Sequence, residues 1–324
     1  MPKAIWRLVN IWFWKETTRG TWVAVNTWLP KTSLSFQDKT ENIQDESSIW
    51  VIVDQSNSFV SKKYAEWWIE WNININSFWF LLLSAIWEIS TAVDTTWAYK
   101  HTFTLANNNQ NQSLTIWVDD PIGWDYQFAL AMLDKLTISW EVWGIVNFKA
   151  EFKSKQSWSA THTVSYVTDY TLLARHLVFK IANNLAWLSW ASQKSIKSFE
   201  IVISKNLEED YSISSNEPRD FINKEFSIDW SITAVYEDPA DYITIAKNGT
   251  KQALRFDIVD SNTVIWLTSN PSLRLDLAKC MLQDYTVNYW NKEVLTQDIK
   301  FKAEYSLADA QVLACYLINT KYSY

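Results

Sequence analysis

The stretch from Ile69 to Asn76 alternates apolar and polar side chains without a break. Side chains on a β-strand point alternately to the two faces of a sheet, whereas an α-helix would scatter the same residues around its circumference. The stretch therefore predicts a strand with one apolar and one polar face. The polar face carries Glu70, Asn72, Asn74 and Asn76.

A second stretch far downstream has the same pattern. Its apolar side chains are Phe226, Ile228, Trp230 and Ile232, and its polar side chains are Glu225, Ser227, Asp229, Ser231 and Thr233. Two long two-faced strands in the two halves of one chain favour a duplicated β-domain whose polar sheet face has a function. A half-exposed antiparallel sheet without such a function would show the same alternation, and that alternative stays open.

Short sequence matches recur in the two halves in the same order. They are Ile69-Glu70-Trp71 with Ile228-Asp229-Trp230, Ile116-Trp117 with Ile265-Trp266, and Phe148-Lys149-Ala150-Glu151-Phe152 with Phe301-Lys302-Ala303-Glu304-Tyr305. A shared order is typical of an ancestral duplication. We therefore predict a mainly β chain of two tandem domains, residues 1–157 and 158–324, each with a short flanking helix.

The composition limits the classes of function. The chain has 324 residues, enough for two domains with cores, and a formal net charge of −7. Proteins that grip nucleic acid need a basic surface, so the charge argues against that role but allows DNA to pass close by. The two cysteines, Cys280 and Cys315, are too few for a disulfide scaffold. The most hydrophobic run, Phe78–Ile86, is far shorter than the ~20 residues of a membrane helix, so no membrane segment is expected.

Tryptophan and glycine occur in unusual proportion, with 22 Trp and 4 Gly, although glycine averages about 7% of residues. Several Trp lie where a turn would need glycine, including Trp97, Trp124 and Trp143. We hypothesise that most of them are UGA codons that the source organism reads as glycine, with Trp28 as a genuine exception. Mass spectrometry of the natural protein tests this, and two tryptophans in a peptide covering Trp67–Trp68 would refute it. The alternative is a genuinely Trp-rich surface that stacks sugars, as in a carbohydrate-binding β-sandwich module.

The segments between the strands give further expectations. Tyr126–Leu136, with apolar residues on one side, and Leu273–Leu282 are assigned to short helices. Asn248-Gly249 predicts a tight β-hairpin. Two acidic segments are expected to be solvated and mobile in an isolated subunit, Gln37–Ser48 as a loop or hairpin tip and Leu207–Arg219 as a loop. Their carboxylates include Asp38, Glu41, Asp45 and Glu46 in the first and Glu208, Glu209 and Asp210 in the second.

No group of residues indicates catalysis. The three histidines, His101, His162 and His176, have no cysteine or carboxylate cluster at ligand spacing, so no metal or other cofactor is expected. There is no Gly-rich phosphate loop or nucleophile elbow, even with glycine in place of Trp. The acidic segment Asp119–Asp125 has oxygen ligands for calcium but lacks their regular spacing, and an ordinary acidic turn is the favoured alternative. An enzyme is the least expected class.

Four groups of segments along the chain carry a family resemblance. They are Trp28-Leu29-Pro30-Lys31-Thr32-Ser33, Asp45-Glu46-Ser47-Ser48-Ile49-Trp50-Val51-Ile52, Leu136-Thr137-Ile138-Ser139 with Phe148-Lys149-Ala150-Glu151-Phe152, and Leu273-Arg274-Leu275-Asp276-Leu277-Ala278-Lys279. With glycine in place of most Trp, nearly the whole chain resembles phage tail tube proteins. The resemblance implies β-sandwich domains with a flanking helix, six of which form a ring, and stacked rings that form a hollow tube for the genome. It also implies assembly in the host cytoplasm around a tape-measure protein, without a cofactor.

The resemblance gives the polar strand faces a role, because a polar or acidic tube wall would repel phosphate and let DNA slide. The candidates for this wall are Glu70, Asn72, Asn74, Asn76, Glu225, Ser227 and Asp229. The carboxylates of the two acidic segments are the candidates for contacts between stacked rings. Three chains of two domains would form a ring with pseudo-sixfold symmetry, and the alternative is a hexamer whose second domains lie outside the tube. Another virion part, such as a baseplate subunit, is a further alternative.

Overall fold

The structure of the chain, a computed structural model, describes residues 5–30, 33–47, 50, 52, 57–105, 110–162, 168–236, 239–289 and 294–322. The fold is mainly β, as predicted, with two short α-helices in these ranges. The sequence also predicts a strand over Ile49–Val53, and most of these residues lie outside the described ranges. No helix in the described ranges is long and apolar enough to cross a membrane.

The strands divide evenly between the two halves of the chain. Those of the first half are β1 (Asn10–Lys15), β2 (Thr27–Leu29), β3 (Ser33–Asp45), β4 (Asn57–Asn72), β5 (Trp87–Thr95), β6 (Ala98–Leu105), β7 (Leu114–Asp119), β8 (Tyr126–Glu141), β9 (Asn147–Ser154) and β10 (Trp158–Ser159). Those of the second half are β11 (Leu177–Ala182), β12 (Gln193–Lys194), β13 (Ile196–Ser204), β14 (Leu207–Asp210), β15 (Asp220–Asn223), β16 (Ser227–Val235), β17 (Gln252–Val259), β18 (Ser272–Asn288), β19 (Thr296–Ala303) and β20 (Leu313–Asn319). The helices are α1 (Trp79–Ile86) and α2 (Pro239–Asn248).

Eight of these strands form one antiparallel sheet in the order β3-β4-β9-β8-β13-β16-β19-β18. The first four strands come from the first half of the chain and the last four from the second half. The halves meet where Lys135–Glu141 of β8 pairs with Ser198–Ser204 of β13. One continuous sheet therefore runs through both halves.

Shorter strands pack on the apolar face of this sheet. In the first half β1 pairs with β2 and β7, and β7 pairs with the N-terminal part of β8. In the second half β11 pairs with β12 and β17, and β17 pairs with the N-terminal part of β18. The ring centroids of Phe13 and Trp67 lie 6.1 Å apart between β1 and β4, and those of Phe179 and Trp230 lie 6.0 Å apart between β11 and β16. All four residues belong to the hydrophobic core between the two layers.

The register of the paired strands repeats between the halves. Trp71 pairs with Phe148 across β4 and β9, and Trp230 pairs with Phe301 across β16 and β19. These residues belong to two of the three sequence matches, which therefore occupy equivalent places. The remaining match does not, because Ile116-Trp117 lies in β7 whereas Ile265-Trp266 lies in a turn after β17.

Both helices predicted from the sequence are strands. Tyr126–Leu136 belongs to β8, and Leu273–Leu282 belongs to β18. Most residues in the N-terminal part of each strand are buried, because these parts lie in the core with neighbours on both faces. A short apolar run that is buried on both faces has no alternation, so its periodicity does not distinguish a strand from a helix.

The two helices occupy equivalent places, one after β4 and one after β16. All eight residues of α1 are buried, as expected for a helix that is apolar on all sides. Helix α2 ends at Asn248, and Gly249 follows with a φ of +61°. A left-handed glycine commonly ends a helix, so the predicted Asn248-Gly249 hairpin is wrong. The hairpin β5–β6, which follows α1 and pairs with β20 through β6, has no counterpart among the described strands of the second half.

Among the described residues, three tryptophans have a positive φ. The φ angles of Trp50, Trp87 and Trp143 are +69°, +90° and +69°. The backbone N of Gly144 donates a hydrogen bond to Glu141 O over 2.9 Å, so Trp143 is the third residue of the turn between β8 and β9. A type II turn requires a positive φ at its third residue and favours glycine there. The predicted tight turn is confirmed, and glycine would adopt its backbone conformation without strain.

Candidate functional site

The candidate site is the polar face of the eight-stranded sheet. Glu70 and Asn72 lie on this face in β4, and Ser227 and Asp229 lie on it in β16, each followed by a buried residue of the core. Glu70 is exposed and the other three are half-buried. Glu225 is exposed just before β16 begins. Five of the seven residues predicted for the wall therefore lie on or beside one surface.

The charges on this face alternate in sign across neighbouring strands. Glu70 lies opposite Lys149 of β9, and Asp229 lies opposite Lys302 of β19. The Lys149 ammonium also lies 2.9 Å from a carboxylate oxygen of Glu151. Opposite charges in facing positions of a sheet attract, although exposed pairs contribute little to stability. The face is therefore polar with charges of both signs.

The sequence prediction of the wall did not include Lys149 and Lys302, although two features of the sequence indicate that they lie on this face. Both belong to the longest of the internal matches, Phe148–Phe152 with Phe301–Tyr305. In β9 half-buried polar residues alternate with buried core residues along the whole strand. Alternation of this kind places every second residue on the polar face.

Asn74 and Asn76 do not lie on the polar face, contrary to the prediction. Strand β4 ends at Asn72, and only 6% of Asn74 and 4% of Asn76 is exposed. Asn74 Oδ1 accepts a hydrogen bond from the Thr171 hydroxyl at 2.8 Å. The Asn76 side-chain amide donates to Thr168 O at 3.1 Å. These partners are distant in the sequence, so the local alternation gives no sign of them.

Asn74 and Asn76 bind residues 168–171, which belong to the segment between β10 and β11 that joins the two halves. The Asp169 carboxylate accepts hydrogen bonds from Asn76 N at 2.5 Å and from the Ser77 hydroxyl at 2.6 Å. Asn76 Oδ1 accepts a hydrogen bond from the Thr320 hydroxyl at 3.2 Å. Burial raises the pKa of Asp169, while its hydrogen bonds act in the opposite direction. The joining segment and the C-terminal residues after β20 are thus both attached to the end of β4.

The first acidic segment, predicted as a solvated loop or hairpin tip, is mostly strand. Gln37–Asp45 belongs to β3, which pairs with β4 in a long hairpin. We name its described outer part, residues 41–47 and 57–62, the arm. Its apolar side chains are unusually exposed, with 63% of Ile43 and 57% of Phe59 accessible. The extended pairing makes this segment a ribbon, and the local sequence missed it because polar residues on both faces lack an apolar alternation.

The acidic residues predicted for contacts between rings in the first segment lie in the arm or at its base. Asp38, at the base of the arm, accepts hydrogen bonds from Ser157 N at 3.0 Å and the Ser157 hydroxyl at 2.5 Å. Glu41 lies 3.6 Å from the Lys62 ammonium. Asp45 is half-buried and Glu46 is exposed at the far end of β3.

The second acidic segment consists of β14 and the loop that leads from it to β15, and the hairpin β14–β15 packs against the first half of the chain. Leu207 and Phe221 form a buried cluster with Leu130 and Met132 of β8. Arg19 donates to Asp220 Oδ1 at 2.6 Å and to Phe221 O at 2.8 Å. The predicted carboxylates pair within the chain, Glu208 with Lys224 at 3.4 Å, Glu209 with Lys153 at 3.2 Å, and Asp210 with Arg219 at 2.8 Å. Residues 211–219 form neither helix nor strand and most of them are exposed, so the predicted solvated loop is present, but the hairpin at its base is anchored.

Two ionisable groups are buried, one just before β14 and one just after β1. The Lys205 ammonium group donates to the backbone O of Ser84 in α1, and 1% of Lys205 is exposed. Burial, with a smaller contribution from the Arg19 charge, lowers the pKa of Lys205 to about 7. Burial also raises the pKa of Glu16, which accepts a hydrogen bond from the Ser113 hydroxyl at 2.6 Å. Lys205 therefore links the start of the hairpin to α1, whereas Glu16 links the end of β1 to β8 by accepting a hydrogen bond from Leu130 N at 2.8 Å.

Several side chains that could bind a metal ion or act as a nucleophile have structural roles instead. Within the described ranges, no three His, Cys, Asp or Glu side chains are placed to hold a metal ion. In the acidic segment Asp119–Asp125, Asp120 Oδ1 accepts hydrogen bonds from Ile122 N and Gly123 N, as in an ordinary turn. Burial raises the pKa of Cys280 to about 12, which keeps the thiol protonated and unreactive at neutral pH.

The chain is an antiparallel β-protein, and its main feature is one wide sheet with a polar surface. The sequence model of the phage tail tube protein family matches residues 9–303. The chain therefore belongs to the phage tail tube protein family and is a structural component of the virion tail. Membership of the family implies self-association and contact with other tail proteins. No curated protein matches the chain.

Proposed function

We propose that copies of this chain assemble into rings, that the rings stack into the tail tube, and that DNA passes through the tube. The observation that carries the proposal is the continuous row of eight antiparallel strands, apolar toward the core and polar on its other face. A wide sheet with this distribution suits the inner wall of a tube. Carboxylates face the lysines across the strands, as Glu70 faces Lys149, so the wall offers DNA phosphates no continuous basic surface to bind.

We further propose that the chain contains two tandem copies of one β-domain, residues 1–157 and 158–324. Support comes from the repeated pairing order, the equivalent helices and the repeated Trp–Phe pairs of β4–β9 and β16–β19. Each copy contributes four strands to the wide sheet. Three chains then provide six equivalent units, so the ring is a trimer with pseudo-sixfold symmetry. Fusion makes half of the contacts between units intramolecular and reduces the entropy lost on association.

The arm is proposed as a contact between stacked rings, with the hairpin β14–β15 beside it. Exposed apolar side chains such as Ile43 and Phe59 favour burial at an interface. The two hairpins connect equivalent strands and touch each other, since Lys63 N donates to Asn216 O at 2.7 Å. Following the family resemblance, assembly takes place in the host cytoplasm around a tape-measure protein and needs no cofactor.

Negative-stain microscopy and native mass spectrometry of the purified chain test the assembly. We expect tubes or stacked rings, with three chains in each isolated ring. Six chains per ring would refute the trimer and place the second domains outside the tube. Particles that form neither rings nor tubes at any concentration would refute the tube role and favour another part of the tail.

Shortening the arm tests the stacking contact. Thr40 and Lys63 are paired, so a two-residue Asn-Gly turn between them would replace residues 41–62. We expect a folded chain that forms single rings and no stacks. Lys62→Ala, which removes the exposed ion pair with Glu41 and the contact of the Lys62 ammonium with the Tyr211 ring but keeps the arm, is the control and should leave stacking intact. Normal tube growth by the shortened chain would show that the arm is dispensable for stacking.

A further inference from the structure

The arm and the β8–β9 turn lie at opposite ends of the eight-stranded sheet. The arm lies at the N-terminal end of β4, where Asn57–Lys62 pairs with Glu41–Asp45 of β3. The turn adjoins the C-terminal end of β4, where Asn72 pairs with Asn147, the first residue of β9. Between Lys62 and Asn72 the strand rises by about 33 Å. Identical rings that stack in one direction therefore bring the arms of one ring against the turns of the next.

A cavity of about 310 Å³ opens beside the β8–β9 turn. Its lining includes the apolar side chains of Val142, Leu177 and Ile196, and 46% of Val142 is exposed. Arg175 and Lys194 also line the cavity, and Arg175 is exposed. Concave apolar surfaces with a few charged groups are common binding sites. This cavity is suited to an apolar side chain that is accompanied by carboxylates.

The arm offers groups that are complementary to the cavity. Its described residues contain the carboxylates of Glu41, Asp45 and Glu46 and the ammonium group of Lys62. Glu41 is paired with Lys62 at 3.6 Å, so Asp45 and Glu46 give the far end of the arm a negative charge. Ile43, which is 63% exposed, lies beside them in β3. An acidic arm with an exposed apolar side chain fits an apolar cavity with basic groups.

The second half of the chain offers another candidate receiver, the end of the β18–β19 hairpin. It corresponds to the β8–β9 turn, because β18 pairs with β19 as β8 pairs with β9. Tyr289 is 71% exposed there and Val294 is 65% exposed, so this end is also apolar. Among the described residues from Val287 to Asp298, Asp298 alone carries a charge, and that charge is negative. The sign of the charge therefore distinguishes the two ends.

We propose that the arm of each chain docks in the cavity beside the β8–β9 turn of a chain in the next ring, with its carboxylates beside Arg175 and Lys194. The inference rests on the proposed stacking of rings, since it names the surface that receives the arm. At the other end the carboxylates would meet the like charge of Asp298, which weakens binding, whereas Arg175 and Lys194 attract them. The arm therefore selects one of two corresponding positions on the next ring.

This choice fixes the rotation between neighbouring rings. A trimer of two-domain chains presents three β8–β9 turns and three β18–β19 ends on one face, and three arms on the other. Pseudo-sixfold symmetry alone would let the arms meet either set. Docking at the β8–β9 turns leaves one rotational setting, which repeats with the threefold symmetry of the ring. The arm thereby gives a near-sixfold ring a stack with threefold order.

Reversal of the charges on both sides tests the docking. Arg175→Glu with Lys194→Glu should leave the rings intact but raise the ring concentration needed for stacking about tenfold, because the acidic arm then faces acidic groups. Asp45→Lys with Glu46→Lys should have the same effect, because the arm then faces basic groups. The chain that combines all four substitutions should stack nearly as well as the wild type, because the attraction is restored with the opposite sign.

Lys300→Glu with Lys302→Glu, which changes the net charge as much at two exposed lysines of the polar face, is the matched control and should leave stacking unchanged. Sedimentation and negative-stain microscopy measure the stacking. Normal stacking of both reversed variants, or single rings from the combined variant, would overturn the docking and leave the tube intact. A wild-type chain that forms no stacks would overturn the proposed tube as well. Cryo-electron microscopy of wild-type tubes provides a second measurement that needs no variant, and arms seated at the β18–β19 ends would overturn the inference.

Discussion

Replacing Trp143 by glycine should stabilise the chain relative to alanine at the same position. Trp143 has a φ of +69° in the turn between β8 and β9, and 96% of its surface is exposed. A non-glycine residue in the left-handed region costs about 1–2 kcal/mol, and glycine avoids this cost. Because the indole is almost fully exposed, both substitutions remove the same small amount of packing. We expect Trp143→Gly to be more stable than Trp143→Ala by about 1 kcal/mol.

Trp190 provides a matched control. It is 84% exposed, but its φ of −94° and ψ of −14° are ordinary for any residue. Alanine should therefore be the more stable replacement at Trp190, by about 0.4–1 kcal/mol, because glycine has more freedom to lose on folding. The difference between glycine and alanine should thus change sign from one position to the other. Urea unfolding of the four variants at equal slope gives the comparison from their midpoints.

Alanine that is more stable than glycine at both positions would refute the reasoning for Trp143. The same experiment bears on the proposal that UGA encodes glycine, because that proposal places glycine in a left-handed turn position. Mass spectrometry of the protein from natural virions should then detect glycine at residue 143. Tryptophan there would refute the recoding at this position.

Three further perturbations test the contacts that join the halves. Burial lowers the pKa of Lys205 from 10.5 to about 7, so between these pH values the side chain is neutral in the folded chain and charged in the unfolded chain. The difference in the free energy of unfolding between the wild type and Lys205→Met should therefore rise in favour of the wild type from pH 7 to pH 10. The slope should approach about 1.4 kcal/mol per pH unit, and a pH-independent difference in urea unfolding would contradict it. Asn76→Ala should lower the free energy of unfolding by about 1–3 kcal/mol, because its buried partners lose their hydrogen bonds. Asn72→Ala on the polar face should lower it by less than about 0.5 kcal/mol. Equal losses of stability would contradict the placement of Asn76 in the interior and Asn72 on the polar face. Arg19→Met should release the hairpin β14–β15 and speed tryptic cleavage after Arg219, and an unchanged cleavage rate would show that packing alone holds the hairpin.

Local patterns determined much of the fold class and part of the site. The alternation around Glu70 and Asp229 predicted two-faced strands, because the period of two is a property of the strand backbone itself. The turn at Trp143 was also predictable, since a turn depends on a few neighbouring residues. The match between Phe148–Phe152 and Phe301–Tyr305 marked strands that do occupy equivalent places.

Only the tertiary structure decided the elements whose environment comes from distant residues. Tyr126–Leu136 is a strand because β7 and β9 lie beside it, and no property of its own sequence excludes a helix. Asn76 continues the alternation of β4 but is buried by Thr168 and Thr320. The acidic hairpin β14–β15 is anchored by Arg19, which lies 201 residues before Asp220 in the sequence. Such partners are chosen by packing between segments far apart in sequence, and a local pattern contains no information on which strand edge or side chain will lie beside it.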